Sequence, residues 1–254
     1  MAPLDLEAVA RAAEGAADAA RAETLPRFRR VGFETKSDGS PVTEADREAE
    51  QAIRRHLRSA FPDFGILGEE YGEEGPDDRP RWVVDPIDGT IAFSRGIPLY
   101  TTLIALLEDG EPVFGLIDCP VLDERYVGWQ GGGCRRNGEP TRVSDEDDLA
   151  RAIVSHGDPF CFDLYGAPEV FERMARECKL LRGYTDAFGH AQVLGGGVAA
   201  MVDLTLNLWD AAPILALIPE AGGKIVTLPE KDGKIGVIFG SPRLVEKLQG
   251  FFER

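Results

Sequence analysis

Apolar and polar positions along this chain follow two rhythms, one of helices and one of strands. The Ala-rich run from Leu4 to Glu23, broken regularly by acids, predicts a helix that Pro26 stops. Thr43-Glu44-Ala45-Asp46 opens a second helix, with Ala49, Ile53 and Leu57 on one face, ending before Pro62. Between them the polar loop Lys36-Ser37-Asp38-Gly39-Ser40-Pro41 is expected to be mobile. Phe64 to Leu67 predicts a short strand ending in Gly68-Glu69-Glu70, and a charged loop from Glu73 to Arg79 leads to the buried strand Trp82-Val83-Val84. Leu99 to Leu107, Pro112 to Cys119 and Arg125 to Trp129 predict antiparallel strands joined by Asp109-Gly110 and Leu122-Asp123 turns.

The acidic stretch Val143 to Ala150 marks a change of pattern. Beyond it strands at 152–155, 179–184 and 201–206 alternate with helices at 170–178 and 189–200. A helix starting at Trp209-Asp210 runs to Glu220, where Gly222-Gly223 signals its C-terminal cap. Strands at 224–226 and 235–240 and a helix at 242–252 close the chain. The expected architecture is a layered sandwich of helices and sheets. Residues 1–143 form an α+β subdomain carrying most candidate ligands, and residues 144–254 an α/β subdomain completing the site.

Composition narrows the functions available. A net charge of −16 argues against nucleic acid or an anionic membrane as partner. It would also repel a phosphorylated substrate, so an acidic phosphatase needs bound cations to invert its local potential. The four cysteines, Cys119, Cys134, Cys161 and Cys178, form no C-x-x-C pair, so reduced, buried thiols in a cytoplasmic protein are expected. The amino terminus lacks a basic region before an apolar core, and no run of 18 apolar residues occurs, so neither a signal peptide nor a membrane span is expected.

The candidate chemistry centres on Asp85-Pro86-Ile87-Asp88-Gly89-Thr90. Two carboxylates three residues apart stand where the central strand is expected to end. Pro86 fixes the direction of the chain, and Gly89 allows close backbone approach. Carboxylates hold Mg²⁺ and backbone amides hold phosphate, so such a corner suits a metal-assisted phosphate site. Three further acids stand at element ends: Asp46 in a first helical turn, Glu69 after a strand, and Asp210 opening a helix. Each has an ordinary explanation: Asp46 is close to a capping box, Asp210 suits a helix dipole, and Glu69-Glu70 suits a solvated turn. A two-metal site nevertheless needs carboxylates converging from separate elements, which favours reading the five together.

Val42-Thr43-x-x-Asp46, Gly68-Glu69-Glu70, the string Trp82 to Thr90, and Trp209-Asp210-x-Ala212 with Glu220-Ala221-Gly222-Gly223 resemble the inositol monophosphatase family in order and spacing. The resemblance implies that Glu69, Asp85 and the Ile87 carbonyl hold one Mg²⁺, and that Asp85, Asp88 and Asp210 hold a second, with two or three ions per site. It implies that Gly89 and Thr90 amides bind the phosphate and that Glu69 and Thr90 help the metal activate a water. Asp46 is then the acid fixing the Thr90 hydroxyl, and Lys36 a loop lysine close to the site. The implied reaction is in-line hydrolysis of a phosphate monoester, and the implied assembly is a homodimer.

Within the family the segment Gly183 to His190 is most similar to the histidinol-phosphatase branch, with Asp186 matching an acid of that segment. A carboxylate suits a cationic amino alcohol such as L-histidinol phosphate, a small phosphorylated metabolite of histidine biosynthesis. The chain departs from that branch at Thr185, His190 and Leu204, and Ile91 follows Thr90 where Lys or Thr is commoner. A turn-forming role for Asp186 and structural roles for His190 and His56 stand beside these readings. The segment His156-Gly157-Asp158 follows a strand and is a candidate to border the pocket. Inositol monophosphate is the second substrate and a nucleotide 3′-phosphate the third. A non-catalytic binding protein is the competing class, and a Ca²⁺-binding module is excluded by the absence of a D-x-D-x-D-G loop.

Overall fold

In a computed structural model of the chain, residues 4–36, 41–76 and 78–253 are described. Two helices form the first layer. Asp5 accepts from the Ala8 amide at 3.0 Å and starts α1 (Leu6–Arg27), whose buried face is Val9, Ala13, Ala16, Ala17 and Ala20. The helix takes Pro26, which has no amide to donate, into its last turn and ends one residue later at Arg27. A hairpin of β1 (Glu34–Thr35) and β2 (Pro41–Val42) follows. Lys36 ends its first arm, while Ser37 to Ser40, the loop expected to be mobile, lies outside the described residues. Thr43 and Asp46 form the capping box of α2 (Glu44–Ala60), and Ala49, Ile53 and Leu57 face inward.

The first sheet contains β3 (Gly65–Gly68), β4 (Gly72–Glu74), β5 (Arg81–Asp88), β6 (Thr101–Glu108), β7 (Glu111–Cys119), β8 (Glu124–Trp129), β9 (Gly133–Arg136) and β10 (Glu139–Pro140). Their order is β10-β9-β8-β7-β6-β5-β3-β4, with only β3 and β5 parallel. A short helix, α3 (Thr90–Arg95), leaves β5 at Gly89. The strand β4 occupies part of the expected charged loop. The expected end of the central strand at Asp85 is also corrected: β5 stays paired with β6 to Asp88 across a register shift between Asp85 and Asp88. Pro86 donates no ladder bond, but Thr102 Oγ1 donates to its carbonyl at 2.8 Å.

The second sheet, ordered β12-β11-β13-β15-β14, contains β11 (Ile153–His156), β12 (Leu180–Arg182), β13 (Ala200–Leu206), β14 (Lys224–Lys231) and β15 (Lys234–Gly240). Here β11 runs parallel to β12 and β13, and the other pairings are antiparallel. The accompanying helices are α4 (Phe160–Tyr165), α5 (Pro168–Glu177), α6 (Asp186–Leu194), α7 (Leu208–Glu220) and α8 (Pro242–Gln249). The helix expected at 189–200 starts three residues earlier and stops at Leu194, because Gly195-Gly196-Gly197 follows and Gly196 is left-handed at φ +74°.

Strand alternation sorts the side chains into layers. Trp82, Val84, Ile104 and Phe114 face α1 and α2, whereas Leu103 and Ile117 face α6 and α7. Met201, Val237 and Phe239 of the second sheet close that middle core, and α4, α5 and α8 cover the sheet's far face. The result is helix, sheet, helix, sheet, helix, the alternating layers expected of the sequence. One contact sets the spacing around the site. A Cβ on Gly115 of β7 would lie 2.5 Å from the Pro213 carbonyl, so glycine there lets α7 lie directly on the first sheet.

Candidate active site

The register shift in β5 turns its last residues toward one end of the sheet. Ile87 buries its side chain with Phe93, Tyr100 and Ala45 and donates its amide to Asp85 Oδ1 at 3.0 Å. Gly89, at φ +83° and ψ 41°, makes the sharp exit into α3 that a side-chained residue resists. Thr90 Oγ1 lies 3.1 Å from Asp46 Oδ1 and 3.1 Å from the Ile87 carbonyl. Its single proton goes to one acceptor at a time, and the carboxylate is the stronger.

The other acids arrive from separate elements. Asp210 sits in the first turn of α7, where one oxygen accepts from the Asn207 amide at 2.8 Å and Nδ2 at 3.1 Å. One oxygen each from Asp85, Asp88 and Asp210 lie within 4.8 Å of one another. Asp88 Oδ2 accepts from the Ala187 amide of α6 at 2.6 Å and from Thr101 Oγ1 at 3.2 Å. Glu69 donates its amide to the Val84 carbonyl at 3.2 Å, and its carboxylate meets Lys36 Nζ at 3.0 Å. The same Lys36 nitrogen is 2.7 Å from Glu70. Glu69, Asp85, Asp88 and Asp210 border a cleft of about 430 Å³ that Asp186 and Trp209 also line.

Capping and site geometry coexist in two of these acids. Asp46 completes the capping box of α2 through Oδ2 and reaches Thr90 through Oδ1. Asp210 caps α7 through Oδ2 while joining the acidic cluster. The capping readings of these residues therefore describe real contacts without displacing the others.

The electrostatics are unfavourable for carboxylates left alone. Burial pushes the Asp85 and Asp88 carboxyls well above the usual range. Repulsion by Glu69 and Asp88 adds to the effect at Asp85, and repulsion by Asp186 and Asp210 at Asp88. Burial also lifts Asp210 to about 7, Glu70 to about 7 and Asp46 to about 6. A set of hard oxygen donors, crowded and desolvated, fits Mg²⁺ or a similar divalent cation, which would remove both the repulsion and the burial penalty.

Asp186 opens α6 at φ +57°. Its Oδ2 is 3.2 Å from where a Cβ on Gly89 would stand, so it overhangs the Gly89-Thr90 corner. His156 is buried against Phe162 and Phe171 and is not among the cleft-lining residues. His56 is exposed on α2. Of the segment His156 to Asp158 it is Asp158 that lines the cleft, and the sequence reading did not single out Asp203, Asn207 or Thr101. Asp203 sits within the buried face of β13, where strand alternation offers no signal for a site. All four cysteines are buried and free, as expected. Among the described residues no helix is long and apolar enough to cross a membrane.

Comparison with known proteins agrees with this geometry. Residues 5–251 match the model of the inositol monophosphatase family. A histidinol-phosphatase of Chlorobaculum parvum is 37% identical over 203 residues, covering 79% of this chain and 78% of the relative. An inositol-1-monophosphatase of Mesorhizobium japonicum is 38% identical over 192 residues, covering 74% and 72%. The crystal structure of the extragenic suppressor protein suhB from Bartonella henselae superposes with a TM-score of 0.88 at 29% identity, covering 97% of this chain and 99% of that one.

Proposed function

As a member of the inositol monophosphatase family this chain is a phosphatase, and we propose that it hydrolyses L-histidinol phosphate to L-histidinol and phosphate. The observation carrying this reading is the Asp186 carboxylate poised over the Gly89-Thr90 corner, beside the acidic cluster. A phosphate at that corner brings the alcohol of its ester past a carboxylate, which favours an alcohol bearing a cation. Relatives with the histidinol-phosphatase name support the same substrate. Inositol monophosphate is the second reading, favoured by the Mesorhizobium relative.

Glu69, Asp85 and the Ile87 carbonyl would hold one Mg²⁺, and Asp85, Asp88 and Asp210 another. When bound, the metal neutralises the phosphoryl oxygens and lowers the pKa of the attacking water. The chain's own groups do the rest. Thr90 and Ile91, at the start of α3, have amides with no intrahelical acceptor, and these with Gly89 orient the phosphate. Above about pH 6 Asp46 is anionic and takes the Thr90 proton in a hydrogen bond, leaving the Thr90 lone pairs to accept from the attacking water. Glu69 accepts the proton the water loses. The water oxygen bonds to phosphorus as the bond to the ester oxygen opposite breaks, and that oxygen takes a proton from a solvent water and leaves as the alcohol. We assign the enzyme to histidine biosynthesis in the cytoplasm, as a homodimer.

The test is phosphate release from L-histidinol phosphate and myo-inositol 1-phosphate side by side, with Mg²⁺ and then with EDTA. Mg²⁺-dependent preference for the first ester is expected; preference for the inositol ester would overturn the substrate assignment.

A further inference from the structure

A cavity of about 660 Å³, larger than the acidic cleft and sharing no residue with it, lies between α1 and the strands β8 and β9. Its walls follow from two sequence periods. Glu7, Arg11, Glu14, Asp18 and Arg21 step by four and three residues in turn, which puts them on one face of α1. Arg125, Val127 and Trp129 alternate along β8 and so share one face of the sheet. Arg135 of β9 extends that face.

Part of this charge ties α1 down. Asp118 of β7 is fully buried, and its two oxygens accept from Arg21 at 2.7 and 2.9 Å. Arg125 donates to the same carboxylate at 2.7 Å and to Asp18 at 2.7 Å, and Arg21 also reaches Asp123 at 2.6 Å. Other lining groups stand outside this clamp. The Glu14 carboxylate has no hydrogen bond or ion pair among the described residues. Arg11 faces only Glu7, at 4.0 Å. Arg135 donates to the Gly132 carbonyl at 3.2 Å and lies 5.8 Å over the Trp129 ring, which leaves most of its N–H groups unused. The Trp129 ring itself is held in place: a Cβ on Gly132 would lie 2.2 Å from its Nε1, so glycine there makes room for the indole.

The chemistry of an occupant follows from these groups. Four acids and four arginines line the cavity, a balance unlike the chain's net charge of −16. A polyanion would meet the acids and a polycation the arginines. A molecule carrying one charge of each sign satisfies both Glu14 and Arg135, and the indole beside them suits a flat ring.

Helix α1 joins this cavity to the phosphate corner. Near its other end Thr24 Oγ1 accepts from the Tyr100 hydroxyl at 3.2 Å, and Tyr100 packs with Ile87 and Phe93 behind the corner. Asp118, gripped by Arg21, is the cross-strand partner of Thr102, whose hydroxyl holds the Pro86 carbonyl at 2.8 Å. An ammonium seated at Glu14 competes with Arg125 for Asp18 and loosens the clamp on α1.

We propose that this cavity binds a free α-amino acid with an aromatic side chain, its ammonium on Glu14, its carboxylate on Arg135 and its ring against Trp129, and that binding lowers turnover through α1. The effect on turnover rests on the phosphatase reading, whereas the binding does not. Glu14 and Arg135 touch the amino acid and take no part in catalysis.

The experiment titrates the full chain with L-histidine, L-phenylalanine and L-tryptophan by calorimetry, with histamine, phenethylamine and tryptamine as controls lacking the carboxylate. At least one amino acid is expected to bind with Kd below about 1 mM, and its amine about tenfold more weakly. Glu14→Gln and Arg135→Gln, checked for folding by circular dichroism, are each expected to weaken binding about tenfold and to leave turnover without amino acid unchanged. Phosphate release with Mg²⁺, from whichever of L-histidinol phosphate and myo-inositol 1-phosphate the chain hydrolyses, is expected to fall when the amino acid is added, and saturating ester is not expected to restore it. Absence of binding by all three amino acids, or equal binding by wild type and both folded variants, would overturn the proposal and leave these charges as clamps of α1. Inhibition that saturating ester relieves would overturn it too, because the amino acid would then occupy the acidic cleft. Absence of Mg²⁺-dependent release from both esters would overturn the phosphatase reading instead, and the titrations would still decide the site.

Discussion

Replacing Asp210 with Asn separates what this acid does for stability from what it does for function. An asparagine carbonyl can keep accepting from the Asn207 amide, so the cap of α7 survives. The charge is lost. In the metal-free protein that charge is a burden, because burial and then Glu69 and Asp203 lift the carboxyl from 3.8 to about 7. At about 1.36 kcal/mol per pH unit this displacement sets an upper limit of about 4 kcal/mol. Relaxation and water entry reduce it, and about 1–3 kcal/mol is expected. The raised pKa also sets the pH window. Below about pH 3 folded and unfolded chains both bind the proton and the burden vanishes. As pH rises toward 7 the unfolded chain has lost the proton while the fold still favours it, so wild-type stability falls and then levels off. In EDTA at pH 8, Asp210→Asn is therefore expected to be more stable than wild type by urea denaturation, with a smaller difference at pH 5. With Mg²⁺ the order reverses, because wild type gains binding energy that the variant lacks. Phosphate release by the variant is expected to fall at least a hundredfold. A variant less stable than wild type in EDTA at pH 8, or one still stabilised and activated by Mg²⁺ like wild type, would refute the reasoning.

Thr90→Val removes the hydroxyl that links Asp46 to the site, and kcat is expected to drop about 10²-fold, a loss of orientation and proton handling of the usual size, with KM little changed in steady-state kinetics. Gly115→Ala forces a Cβ against the Pro213 carbonyl and pushes α7 off the sheet, so a loss of about 1–3 kcal/mol in denaturant unfolding is expected together with weaker Mg²⁺ binding by calorimetry. Burial pushes Cys134 up to about 12 and Cys178 to about 11, and Cys119 higher still, so these thiols are expected to resist iodoacetamide at pH 8 until the chain is unfolded. Labelling of the native protein at these positions, followed by mass spectrometry, would contradict the placement of the core.

What the sequence discloses is the local chemistry. Asp85 to Thr90 announces itself because Pro, Gly and two acids act on the same few residues of backbone, and β5 with α3 is built as that pattern implies. Asp46 and Asp210 show why single-residue readings stall: each is a helix cap and a member of the acidic site at once. The strands β9 and β10 at one side of the first sheet were not apparent, because they are short and partly polar, β9 pairing with β8 and β10 only with β9. The helix α4 was not apparent either, its six residues lacking a full helical period. The pairing of His190 with Asp203 joins a helix to a strand 13 residues away, and only the packing of α6 beside β13 reveals it. Helix α6 was misjudged because Asp186, in a left-handed conformation, begins it where a turn was the simpler reading.

The measurement that bears most directly on the account is phosphate release by the purified chain from L-histidinol phosphate and myo-inositol 1-phosphate, with saturating Mg²⁺ and with excess EDTA. The account predicts release that vanishes in EDTA and a kcat/KM at least tenfold higher for the histidinol ester. Release that persists in EDTA, or equal turnover of the two esters, would contradict it.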